Sequence, residues 1–86
     1  MNKPQAVDFE THGTNLQNNA DVRRIYTSLQ ADDDGGWDVV TIIEAELELD
    51  PEEPGYRADA CDRLIRDIEA DMRAGMLSGS VKIKRF

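Results

Sequence analysis

The stretch Trp37–Asp50, WDVVTIIEAELELD, decides the fold, because two secondary structures can claim it. Read as a strand, its odd positions Trp37, Val39, Thr41, Ile43, Ala45, Leu47 and Leu49 form one apolar face, with Thr41 its single polar member. The even positions then set Glu44, Glu46, Glu48 and Asp50 in a row on the other face, the period-two pattern of a half-buried strand. Read as a helix, Val39, Val40, Ile43 and Leu47 make a narrow stripe, with Asp38 or Thr41 able to cap its start. The far end of the chain favours the strand. Residues 81–86, VKIKRF, alternate as a terminal strand. Pairing them with 37–49 puts Lys82 and Lys84 on the face of Glu44, Glu46 and Glu48, so that opposite charges help fix the register.

Outward from this stretch, two segments have helical spacing. Val22, Ile25, Tyr26 and Leu29 fall at i, i+3, i+4 and i+7, which predicts a helix over about 20–30, capped by Asn19 or Asp21 and ended by ADDDGG at 31–36. Aspartates before glycine suggest a calcium loop. With Gly35 as the sixth position, however, Gln30 would be first and Thr41 twelfth, so the ligand pattern fails and a solvated turn is expected. The second helix runs from about Tyr56 to Ala74, with Cys61, Leu64, Ile65, Ile68 and Met72 as its buried face and Gly75 as its stop. Asp59–Arg63, Asp62–Arg66 and Glu69–Arg73 are acid-before-base pairs one turn apart on its outer side. Residues 1–18 are weakly patterned, with a short strand at Ala6–Glu10, a loop at Thr11–Asn18 and His12 solvated within it.

Size and composition bound the function. Eighty-six residues with 40% hydrophobic content make one small domain with one modest core. The single cysteine, Cys61, excludes an intramolecular disulfide and a cysteine-rich zinc site, and its place in the apolar stripe makes it a core residue. No signal segment or spanning run is evident, so a cytoplasmic location without membrane contact is expected. Eighteen acids against ten bases give a net charge of −8. No Lys or Arg lies between Arg24 and Arg57, an interval that holds ten of the acids. Such a field repels nucleic acid and attracts basic protein surfaces. Catalytic constellations are missing: with one histidine there is no Ser/His/Asp set, no glycine-rich phosphate loop and no metal-ligand spacing. An enzyme, a cofactor and a metal are therefore not expected.

Two resemblances bear on function. The order of a helix at 21–30, the turn GGW, an apolar segment ending LELD, the amphipathic RADACDRLIRDIEADMRAG and the ending ML-SGS-VKIKRF resembles a winged helix-turn-helix domain over residues 21–86. That resemblance implies three helices plus a C-terminal wing, with Arg63, Arg66 and Arg73 on duplex DNA and Lys82, Lys84 and Arg85 as wing contacts. In size and charge the chain is also similar to small acidic phage inhibitors such as some anti-CRISPR proteins. Alternate strand residues are spaced by ~6.6–6.8 Å, on the order of the phosphate-to-phosphate distance along a nucleic-acid strand, whose axial rise is ~3.4 Å per nucleotide. Glu44, Glu46, Glu48 and Asp50, extended by Glu52 and Glu53, would thus present a phosphate-like ladder to a basic groove.

The expectation is a small single α+β domain spanning 1–86, with two amphipathic helices on one face of a short sheet; a winged helix is the alternative. The expected function is a non-catalytic acidic module, an inhibitor or adaptor, whose Glu44, Glu46, Glu48, Asp50, Glu52 and Glu53 engage a basic partner. Duplex-DNA binding is the alternative. Val40 and Ile42 on the even face, with Phe86 nearby, form the expected apolar patch for a homodimer or partner contact.

Overall fold

The computed structural model describes residues 13–77 and 79–86, so the strand expected at Ala6–Glu10 and His12 lie outside the described residues. The chain is a small α+β domain. A short helix α1 (Thr14–Gln17) leads into strand β1 (Val22–Ala31); β2 (Trp37–Ala45), helix α2 (Ala58–Arg73) and β3 (Ser80–Arg85) follow. The sheet order is β1-β2-β3, with β1 antiparallel to β2 and β3 parallel to it. Because β2 and β3 are parallel, the chain must cross back between them, and α2 makes that crossover. Among the described residues no helix is long and apolar enough to cross a membrane.

Residues 37–45 form a strand, and its odd side faces the helix: Ile43 and Ala45 are fully buried, and Leu47 just beyond the strand is nearly so. They pack with Leu16, Val22, Ile25, Ala60, Leu64, Ile68 and Leu77, while Leu49, Cys61, Val81 and Ile83 border that core. Lys82 and Lys84 do share the even face, opposite Ile42 and Glu44. The strand stops at Ala45 rather than 49, where its neighbours run out: Glu46 N–H donates to Asp21 O at 2.8 Å, and Ala45 O accepts from Phe86 N–H at 2.8 Å.

The helix expected over 20–30 is instead β1, hairpinned to β2. Its helical spacing comes from a bulge. Val22 and Ile25 are three residues apart, yet they oppose Ala45 and Ile43, which are two apart; the extra residue is taken up between Val22 and Arg24. Both side chains therefore reach the same core from a strand. The β-branched and aromatic residues Val22, Ile25, Tyr26 and Thr27 suit that conformation. The segments that the winged-helix order takes as its first two helices are thus the two strands of one hairpin. Asp32–Gly36 closes it: Asp32 Oδ1 accepts from Asp34 N–H at 2.9 Å and Gly36 N–H at 2.8 Å, and Gly35 takes φ +83°.

Helix α2 is rotated from its expected face. Ala60, Leu64, Ile68 and Asp71 point inward, while Ile65 and Met72 are exposed and Cys61 is half-buried. It ends as expected at Gly75, φ +79°, where Gly75 N–H donates to Met72 O and Met76 N–H to Asp71 O. The inward turn of Asp71 has a reason in α1, within a segment expected to be loop. Asp71 Oδ2 accepts from Leu16 N–H at 2.9 Å, and Oδ1 from Asn15 N–H at 3.2 Å and Asn15 Nδ2 at 2.7 Å. A carboxylate from α2 thus caps α1, whose own cap position is Gly13 and has no side chain to offer.

Candidate functional site

From sequence, the acidic row is expected to stand open to solvent. Three of its six members are instead held by the domain's own arginines: Glu44 by Arg24 at 2.9 Å, Glu46 by Arg23 at 3.3 Å and Glu48 by Arg85 at 2.8 Å. Glu44 also accepts from Tyr26 Oη at 3.2 Å, and the Arg24 guanidinium lies 5.0 Å from the Tyr26 ring centre. The Arg24 Nε–H is close to Glu44 but misaligned for a hydrogen bond. Glu44 and Glu48 are largely covered, with side chains 14% and 17% exposed. Asp50 and Glu48 serve the loop itself, accepting from Glu52 N–H at 2.9 Å and Asp50 N–H at 3.1 Å. Asp50, Glu52 and Glu53 remain exposed and make no ion pair among the described residues. An evenly spaced ladder is therefore not what this surface offers, since Glu44, Glu46 and Glu48 are neutralised in place.

The expected apolar patch is corrected too. Val40 and Ile42 are each only 3% exposed, while Phe86 is open. The two residues lie on the central strand, Ile42 between Tyr26 and Lys82 and Val40 between Ser28 and Ser80. Lys82 Nζ reaches across the sheet to Gln30 Oε1 at 2.9 Å, laying its methylene stem over β2.

The exposed apolar surface lies elsewhere. Leu29, Trp37 and Val39 are 67%, 68% and 62% exposed, on the same face as Ile25 and Ile43 but nearer the hairpin tip. Leu29 opposes Val39, and Trp37 opposes Ala31. Asp32, Asp33 and Asp34 in the turn adjoin them, while Asp38 of β2 projects to the opposite, even face. Periodicity alone places these three side chains in the core. The signal that points the other way is Asp34-Gly35 between two β-rich runs, a hairpin turn rather than a helix stop.

Arg63, Arg66 and Arg73 are exposed on α2, and none forms an ion pair among the described residues, so the expected i, i+4 bridges do not close. Lys82, Lys84 and Arg85 lie on β3, away from that outer helix side. Between α2 and β3 a cleft of about 280 Å³ is lined by Leu49, Tyr56, Cys61, Leu64, Ile65 and Ile83. Cys61 Sγ donates to Glu48 O at 3.6 Å. Burial and then the nearby Asp62 push its thiol above the ordinary range, which makes it a poor nucleophile at neutral pH. Among the described residues no group of three His, Cys, Asp or Glu side chains is arranged to hold a metal ion. No protein family, no curated protein and no solved structure matches the chain.

Proposed function

We propose that the domain is a non-catalytic protein-binding module whose hairpin engages a basic partner surface. The observation that carries this is the exposure of Leu29, Trp37 and Val39 together on one face of β1 and β2, with the three aspartates of the turn beside them. Protein interfaces are commonly built as an aromatic and aliphatic centre within a charged rim, and tryptophan is the residue type most enriched among their energetic anchors. The rim's sign sets the partner: Asp32, Asp33 and Asp34 have no ion pair among the described residues and select lysine- and arginine-rich surfaces. Compared with the acidic row of Glu44, Glu46 and Glu48, the hairpin supplies both unneutralised charge and apolar area.

The test is affinity capture from the native host with wild type, Trp37→Ala plus Val39→Thr, Asp33→Lys plus Asp34→Lys, and Glu46→Lys plus Glu48→Lys. Loss of the captured basic protein with both hairpin variants, at unchanged thermal stability, is expected. Retention by the hairpin variants and loss with the glutamate variant would return the site to the acidic row. Duplex DNA draws on the unpaired Arg63, Arg66 and Arg73, but Asp59, Asp62 and Glu69 are interleaved with them on the exposed side of α2, so no net positive field forms there. A gel shift at low salt, lost with Arg63→Ala plus Arg66→Ala, would favour that reading.

A further inference from the structure

The acidic hairpin is balanced at the opposite edge of the sheet by a strand of the other sign. β3, SVKIKR, contains no acid, and among the described strands its single neighbour is β2. Among the described residues its outer edge therefore carries backbone N–H and C=O groups with no strand beside them. Val81 and Ile83 face the helix side and are half-buried, while Lys82 and Lys84 face the other side and are exposed. No ion pair among the described residues involves either lysine; Lys82 Nζ donates to Gln30 Oε1 across β2, a neutral contact that a carboxylate at the outer edge would replace.

The helix side of this edge is apolar as well. The cleft of about 280 Å³ opens between Ile83 of β3 and Cys61, Leu64 and Ile65 of α2, with Leu49 and Tyr56 at its end. Met72 lies seven residues after Ile65 and so shares its flank of the helix; Ile65 is 46% exposed and Met72 39%. An open backbone edge, a side-chain pocket on one face and two lysines on the other are the three parts of strand addition. In that mode main-chain bonds supply affinity and pockets for alternate side chains supply specificity.

We propose that the outer edge of β3 accepts an extended segment of a partner protein in which apolar and acidic side chains alternate. The apolar side chains enter the cleft beside Ile65 and Ile83, and the carboxylates lie against Lys82 and Lys84. Charge decides the occupant. A second copy of β3 would set lysine against lysine across the new ladder, an unfavourable pairing, and edge lysines are a known guard against such self-association. An acidic strand turns the same lysines from a barrier into a contact. This site uses none of the hairpin residues, so it can fail or stand independently of the proposed function.

The probe is a capped synthetic peptide, Thr-Val-Glu-Phe-Glu-Val-Thr, titrated into the 15N-labelled full chain at low salt and followed by NMR. Three comparisons accompany it: the same peptide with Lys in place of Glu, the same peptide with alternate backbone amides N-methylated, and the Lys82→Glu plus Lys84→Glu protein. Expected are shifts in the amides of residues 80–85 and about a tenfold or greater weakening with each altered peptide. The doubly substituted protein should reverse the preference, binding the lysine peptide better. Equal binding of the acidic and basic peptides, shifts confined to β1 or the hairpin tip, or no shift at millimolar peptide would each overturn the proposal.

Discussion

Asp71 is a charged residue in the place of a core side chain, and it is 1% exposed. Its carboxylate is tolerable there because three N–H donors from Asn15 and Leu16 surround it. The geometry also dictates Gly13: a Cβ at that position would sit 2.3 Å from the Asp71 carboxyl, and the backbone holds φ +119°, a region that side chains rarely adopt. Gly13→Ala should therefore cost roughly 2 kcal/mol or more, and Asp71→Ala on the order of 2–3 kcal/mol. Both changes break the same contact, so the double variant should cost less than the sum of the two. Urea unfolding of the three variants checks this. Strict additivity would mean that Gly13 and Asp71 act separately. Asn19 adds a second tie of the same kind, its Nδ2 donating to Asp67 Oδ2 at 2.8 Å, so the entry to β1 is fastened to α2 at two levels.

At the scale of elements, the bulge in β1 is the device that aims Val22 and Ile25 at one core. Its function is positional, and the side chain at the bulge is secondary. Arg23 forms only an exposed ion pair with Glu46, so Arg23→Ala should cost below about 1 kcal/mol. Deleting Arg23 tests the backbone instead. It takes out the extra residue and restores strict alternation, so Val22 and Ile25 become two apart like their partners Ala45 and Ile43 and both keep the core face. The deletion should therefore cost no more than Arg23→Ala in urea unfolding, and a loss of the roughly 1.5–3 kcal/mol of an expelled valine would show that Val22 needs the bulge to reach the core. The same device explains why β1 has the spacing of a helix. Three residues between inward side chains is a helical interval and also the interval across a bulge, and local sequence does not separate them. What could separate them is the Asp34-Gly35 turn and the β-branched content of 22–27.

For the whole molecule, net charge outweighs the individual ion pairs. Three arginines bridge to Glu44, Glu46 and Glu48, each pair with at least one partner a third or more exposed. Eighteen acids against ten bases leave a net charge of −8 uncompensated. Exposed pairs contribute about 0–1 kcal/mol each, whereas self-repulsion acts over the whole surface. Raising sodium chloride from low to moderate concentration should thus raise the thermal midpoint by a few degrees, because screening weakens the repulsion more than the pairs. A fall on calorimetry would show that the arginine bridges matter more than the repulsion. The described basic residues are also unevenly placed: the outer strands β1 and β3 hold Arg23, Arg24, Lys82, Lys84 and Arg85 and no acid at all. An acidic molecule with basic sheet edges discourages pairing between its own copies at either edge.

Legible along the chain itself were the features that repeat or punctuate it: a strand within 37–49 with Ile43 and Ala45 turned inward, the helix ending at Gly75, the terminal strand with Lys82 and Lys84 on the even face, and the excess of acid. Each is a periodicity or a local stop signal, and a few consecutive residues suffice to state it. The rest was settled only when distant segments met. Whether Val22 and Ile25 belong to a helix or a bulged strand depends on Ala45 and Ile43, about twenty residues away, and Asp71 turned inward because Gly13 left a helix start uncapped. The glutamates met arginines of neighbouring strands, while Trp37 and Val39 stayed open because α2 packs over Ile43 and Ala45 without extending along the hairpin to its tip. These outcomes depend on where the chain returns in space, which no local pattern records.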